Sequence, residues 1–195
     1  EAFKKPVFKK IIVFPLFPQY ASATTGSVNE KVMEIVKDWE VIPPIEFINS
    51  YPDQKDFIQA FAKRGKDCRP EQHDHVLFSF HGSPERQIRK ADHTGKCLQG
   101  NCCSTFHENN QYCYRAQCFQ TARTLAKELG ITEDRYTVCF QSRLGKDPWI
   151  QPYADNTIKD LAAKGKKKLL VFAPAFFTIG IPSPAHPAIR PATRQ

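Results

Sequence analysis

Methionine occurs once in these 195 residues, at Met33, and no glutamate follows Glu133. Residue 1 is glutamate, so the chain is expected to be a piece of a longer one. No apolar run approaches the ~20 residues that a helix needs to cross a bilayer. The stretch 11–16 is short and is broken by Pro15. A basic segment leading into an apolar core and a small-residue cleavage site is also missing, so no secretory signal is visible. Helix-turn-helix, RNP and OB signatures are absent, which argues against nucleic acid as a partner. There is no internal repeat.

Apolar residues make up 41% of the chain and aromatics 12%, enough for a buried core at this length. The net charge of +8 favours anionic partners in general. Its densest run, Lys164 and Lys166 to Lys168, reads as a solvated turn between a helix and a strand. Without a leader, the seven cysteines point to metal binding before disulfides.

Short β-branched or aromatic runs at 10–14, 46–48, 75–80, 136–141 and 169–172 read as buried strands. Helical patterning lies between them, at 28–39, 55–63, 117–129 and 157–163. Ser27 or Asn29 is expected to cap the first helix and Asp53 the second. Phe57, Ile58, Phe61 and Ala62 share one face of the second, and Gly130 stops the third. Residues 64–73 are polar and read as a linker. Alternating strands and helices imply an α/β protein with a parallel, doubly wound sheet.

Several strands end in polar or small motifs, where open α/β sheets bind ligands. The strand 75–80 runs into His81-Gly82-Ser83-Pro84. Another strand ends in Gln141-Ser142-Arg143-Leu144-Gly145, followed by Asp147-Pro148-Trp149. The first leads to Phe17-Pro18-Gln19-Tyr20-Ala21-Ser22-Ala23-Thr24-Thr25-Gly26-Ser27. A fourth motif is Val171-Phe172-Ala173-Pro174-Ala175-Phe176.

These four motifs, in this order, resemble the ferrochelatase family, over about residues 10–177. The resemblance implies a chelatase-like (Rossmann-like) fold, parallel sheets flanked by helices, with one half incomplete. Residues 1–65 would be the remainder of the first half. Residues 66–180 would be the second, with a cysteine-rich insertion at 85–113, and 181–195 a proline-rich irregular tail. It implies insertion of Fe²⁺ into a porphyrin, protoporphyrin IX or coproporphyrin III, in haem biosynthesis. His81 would be the catalytic residue, as iron ligand or proton acceptor, and Tyr20, Ser22, Thr24 and Trp149 would bind the porphyrin. A neutral imidazole can do either job near pH 7. A cytoplasmic location, with peripheral membrane contact as an option, goes with it. The family's glutamate run after the Pro-Ala-Phe motif is replaced here by Phe177-Thr178-Ile179-Gly180-Ile181-Pro182. A non-catalytic metal-binding or regulatory module on a chelatase-like scaffold is therefore the alternative reading. Missing sheet neighbours should leave apolar faces exposed.

Five cysteines fall in 22 residues: Cys97-x4-Cys102-Cys103-x9-Cys113-x4-Cys118. Some ferrochelatases carry a [2Fe–2S] cluster, and the resemblance is to a bacterial type with an insertion here. A cluster takes four thiolates. Cys97, Cys102, Cys103 and Cys113 are the favoured set, with Cys118 as substitute, because adjacent side chains tend to diverge. Zinc, held by four of these thiolates or by three of them plus His93 or His107, is the alternative occupant. Cys68 and Cys139 read as incidental or buried residues.

Overall fold

Five consecutive buried residues, Val76 to Phe80, form the middle of a strand covered on both faces. In the computed structural model, which describes residues 8–175, that strand is the centre of a parallel sheet. The elements run β1 (Ile11–Val13), α1 (Ser27–Val36), β2 (Ile45–Phe47), α2 (Lys55–Asp67), β3 (His75–His81), α3 (Glu85–Lys90), α4 (Tyr114–Leu129), β4 (Tyr136–Gln141), α5 (Ala154–Ala163) and β5 (Leu169–Phe172). Among the described residues β1 and β2 pair in parallel, and β4-β3-β5 form the second parallel sheet. The register runs from Val76 opposite Tyr136 to His81 opposite Gln141 on one side of β3. On the other it runs from His75 opposite Leu169 to Phe78 opposite Phe172.

Side chains alternate across β3 because the strand repeats every two residues. Val76, Phe78 and Phe80 join the large core cluster with Phe57 and Ile58 of α2 and Ala122 and Leu125 of α4. Leu77 faces the other way, onto Cys139 of β4 and Leu161 of α5. Helices thus cover both faces, which accounts for the near-continuous apolar run of β3. Burying each of the two phenylalanines contributes about 1.5–3 kcal/mol.

Several local expectations shift. Ser22–Gly26 is a short π-helical turn leading directly into α1, and Ser27 does not cap that helix. Its hydroxyl donates back to the carbonyls of Ala23 and Thr24. Asn29 bonds Asn49 instead. Helix α2 is capped by Gln54, whose side chain accepts from the Phe57 N–H, while Asp53 accepts from Gln120. The expected linker is partly helix, since Arg64–Asp67 belong to the last turn of α2. Gly65 there sits against Leu129 and Phe172, where an added Cβ would make a tight contact of 3.2 Å with Leu129 Cδ2. Helix α4 starts three residues before the expected position and stops as expected at Gly130, which is left-handed at φ 69°. The Ile131 N–H closes the end onto Ala126 O at 2.8 Å. The lysine run turns as expected, with Asp74 accepting from the Lys167 and Lys168 amides. Cys139 is buried and Cys68 exposed. The tail 181–195 and Phe176 to Pro182 lie outside the described residues.

The first segment, residues 8–54 ahead of α2, is joined to α4 by a buried polar seam. Gln19 Nε2 donates to Thr121 Oγ1 at 2.9 Å, and that hydroxyl donates to Pro52 O at 2.6 Å. Tyr20 N donates to Gln117 Oε1 at 2.8 Å, and Gln117 Nε2 to Gln111 O at 2.8 Å. Buried polar atoms must be bonded, so these pairs fix one alignment of the 17–20 loop on α4. Elsewhere in the first segment apolar side chains face water, with Ile12 59% and Phe14 51% exposed.

His75, at the start of β3, bonds Thr137 Oγ1 through Nε2 at 2.9 Å and has no partner on Nδ1. Burial, then the nearby Lys166 and Arg135, hold its pKa below the ordinary 6.5. The unfolded chain therefore takes up a proton that the folded chain refuses. The stability His75 carries is complete above about pH 6.5 and is lost as pH falls from there toward the depressed value. We expect Tm to drop between pH 7.5 and 5.5, and His75→Gln to flatten that slope. An unchanged slope in the variant would assign the acid sensitivity elsewhere.

Candidate functional site

The order β4-β3-β5 means that the chain leaves β3 in one direction and returns on the other side. Such switch points open a crevice at the carboxyl ends of the strands. A cavity of about 340 Å³ lies there. His81 lines it from the end of β3, Thr24 from the first segment and Trp149 from the loop after β4.

His81 is exposed, and its Nδ1 lies 2.8 Å from Gly82 O. A carbonyl only accepts, so in the neutral ring Nδ1 carries the proton. The Nε2 lone pair is then free for a metal ion or a proton. The peptide that follows is held at both ends: Tyr114 donates its hydroxyl to His81 O at 2.8 Å, and Gly82 N donates to Gln141 O at 2.7 Å.

Trp149 is placed by its backbone and its indole. The loops bearing Ser83 and Trp149 are stitched by Ile150 N to Ser83 O at 3.0 Å and Glu85 N to Pro148 O at 2.9 Å. The indole Nε1 donates to Leu144 O at 2.9 Å. Its ring centroid stands 6.5 Å from that of His81, tilted by 51°. An aromatic face beside a free imidazole nitrogen suits a flat apolar ring that must meet a metal ion.

The structure divides the expected ring-binding residues. His81, Thr24 and Trp149 share the cavity. Tyr20 and Ser22 belong to the same segment but are not on its wall; the Tyr20 hydroxyl lies close to Gly26, within 3.3 Å of where a Cβ would be. Arg143 is engaged by Asp155 at 2.8 Å and stacks on Tyr153 at 4.4 Å. Sequence reasoning missed Gln19, Gln87 and Tyr114, which also line the cavity. Tyr114 was hidden because its helix was expected to begin at 117.

The insertion builds a second cavity of about 210 Å³. Cys97, Cys102, Cys103 and Cys113 all line it, with His107; Cys118 and His93 do not. Adjacent Cys102 and Cys103 do not diverge, because the chain turns tightly there, and their sulfurs stand 3.6 Å apart. Cys113 is in side-chain contact with both Cys97 and Cys103. The loop is held from outside by Arg123, whose guanidinium donates to Cys103 O at 3.0 Å, and by Asn110, which donates to Cys102 O and Thr105 O. Asp92 accepts from the amides of Cys97 and Thr94, both at 2.8 Å. Those bonds, the Cys97 amide first, pull its pKa down to about 2.

All seven cysteines are free thiols. Contact with Cys113 and burial push Cys103 far up, and burial raises Cys97 and Cys102. No group of three or more His, Cys, Asp or Glu side chains among the described residues is gathered tightly enough to hold a metal ion. The donor set nonetheless fits a thiolate-bound centre in kind: four thiols on one small, partly buried cavity. Cys118 is fully buried on α4, and burial raises its pKa well above the ordinary value.

The molecule is thus a parallel α/β protein with an imidazole and an aromatic wall at its switch point. Comparison with known proteins gives its family. The chain belongs to the ferrochelatase family, whose model matches residues 1–179. It is 46% identical over 166 residues to the ferrochelatase of Legionella pneumophila (strain Corby), covering 85% of this chain and 49% of that one. It is 42% identical over 171 residues to the ferrochelatase of Pseudomonas syringae pv. syringae (strain B728a), covering 87% and 50%. With that of Ectopseudomonas mendocina (strain ymp) the figures are 38% over 170 residues, 86% and 50%. The chain thus spans about half the length of these curated relatives. No described helix is long and apolar enough to cross a membrane.

Proposed function

We propose that this chain carries the iron-delivering part of a ferrochelatase, the enzyme that exchanges two pyrrole protons of a porphyrin for Fe²⁺. The observation that carries the reading is the shared cavity of His81, Thr24 and Trp149 at the switch point of the β4-β3-β5 sheet. Trp149 and the 21–24 segment wall the porphyrin edge. His81 Nε2 ligates the incoming iron or accepts a pyrrole proton, and its Nδ1–H bond to Gly82 O holds it in the tautomer that either task requires. Two protons leave as the metal enters, so the balance needs no further reactant.

The test is an anaerobic assay of the chain with ferrous iron and either protoporphyrin IX or coproporphyrin III. Loss of porphyrin fluorescence faster than in protein-free controls is the expected result, and the faster porphyrin names the substrate. Metal bound at the cysteine loop with no metalation of either porphyrin would instead make the chain a non-catalytic module on this scaffold.

We further infer that Cys97, Cys102, Cys103 and Cys113 hold a [2Fe–2S] cluster, supported by their convergence on one cavity that Cys118 does not reach. Such a group, when bound, supplies a redox-active cross-link for the loop. Anaerobically prepared protein should contain about two irons and two acid-labile sulfides per chain and show visible charge-transfer bands. Cys97→Ser or Cys103→Ser should lose that colour and Cys118→Ser should keep it. A colourless protein holding zinc, or colour lost in Cys118→Ser, would overturn the assignment.

A further inference from the structure

We propose that Tyr114 is a positioning residue for His81, acting through the backbone. The proposal rests on the reading of His81 given above and extends it to a residue outside the expected site.

Free rotation at Gly82 is the starting point. Glycine holds its own dihedrals weakly, yet its carbonyl must face His81 Nδ1 for the imidazole to keep its proton there. A side chain at residue 82 cannot supply the missing restraint, because a Cβ would lie 2.9 Å from Gln141 O and 3.0 Å from Trp149 Cε3. The restraint comes instead from the peptide between residues 81 and 82. Its carbonyl takes the Tyr114 hydroxyl at 2.8 Å and its N–H binds Gln141 O at 2.7 Å. With both ends fixed, only the two Gly82 dihedrals remain before its carbonyl, and the bond to His81 restrains them.

Tyr114 is suited to the task. It is the first residue of α4, a helix anchored by its buried residues Ala116, Gln117 and Cys118. The helix thereby fixes the ring whose hydroxyl proton goes to His81 O.

Tyr114→Phe keeps the ring and removes only the donor. Imidazole ¹⁵N shifts should report a single tautomer, protonated on Nδ1, for His81 in the parent chain and a mixture in the variant. Porphyrin binding and the melting temperature should stay near parent values. The metalation kcat should fall about tenfold, the worth of one ordering hydrogen bond. Where Tyr114→Phe fails to fold, the unaltered chain still answers: a slowly exchanging Tyr114 hydroxyl proton is required. An unchanged His81 tautomer in the variant, or a rapidly exchanging hydroxyl in the parent, overturns the proposal. A parent chain that shows the tautomer effect but metalates neither porphyrin would instead overturn the ferrochelatase reading alone.

Discussion

His81→Ala should abolish porphyrin metalation while leaving porphyrin binding near the parent level. The imidazole is exposed at the mouth of the cavity, so its loss leaves no buried hole and the fold is spared. The walls that meet the macrocycle, Trp149 and the 21–24 segment, do not depend on the ring of His81 for their hydrogen bonds. What disappears is the Nε2 lone pair. A positioned acid–base group is typically worth roughly 10²- to 10⁴-fold in rate, and a loss in that range with an unchanged binding constant is the expected result. It is measured as the initial rate of porphyrin fluorescence loss, beside a separate titration of porphyrin without metal. A variant that metalates at the parent rate would remove His81 from the chemistry. One that no longer binds porphyrin would make it a wall and not a reactant.

Gly82→Ala should damage both stability and the site. The added methyl would sit 2.9 Å from a backbone oxygen of β4 and 3.0 Å from the Trp149 ring. Gln141 O cannot retreat cheaply, because Gln141 is in register with His81 in the central sheet and already accepts the Gly82 N–H. Trp149 cannot retreat without straining its bond to Leu144 and the bridge from Pro84. Overpacking of this kind costs about 1–3 kcal/mol, and at this chain length each kcal/mol lowers Tm by about 2–4 °C. The displaced Trp149 and the altered Gly82 carbonyl should lower porphyrin affinity and rate together, unlike His81→Ala. Thermal melting and the same two assays separate the cases, and parent-like melting and affinity would mean the two loops are looser than their bonds indicate.

The sheet was legible because its strands are short β-branched runs with no competing period. Residues 75–80 could hardly be anything but a central strand once both neighbours were known to be helical. The motifs at strand ends were legible for a related reason: parallel strands carry their loops to one edge, so His81 and Trp149 had to be near one another, while Thr24, which follows β1 of the other sheet, is brought to them by the seam on α4. Helix starts were harder to read. Gln54 took the cap expected of Asp53 because the helix begins at Lys55 and Gln54 directly precedes it, leaving Asp53 to accept from Gln120. Tyr114 and Gln117 serve tertiary contacts that leave no periodic trace, so α4 looked shorter than it is. Within the insertion, spacing alone suggested that Cys102 and Cys103 would point apart. The turns leading up to that pair hold Leu98 and Gly100 at positive φ, 64° and 49°, and a leucine in that region carries no sequence signal.

The insertion begins and ends at the rim of the same cavity, since Pro84 and Tyr114 both line it. A detour whose two feet stand side by side makes little demand on the scaffold. Closing it costs an entropy that grows only logarithmically with its length, and the sheet passes beneath it undisturbed. The thiol-bearing segment is nonetheless tied into the molecule: its Gln87 lines the cleft, and its Ile88, Cys103 and Cys113 join the main core. A change within that loop would therefore be felt at the cleft it overlooks as well as at the thiols.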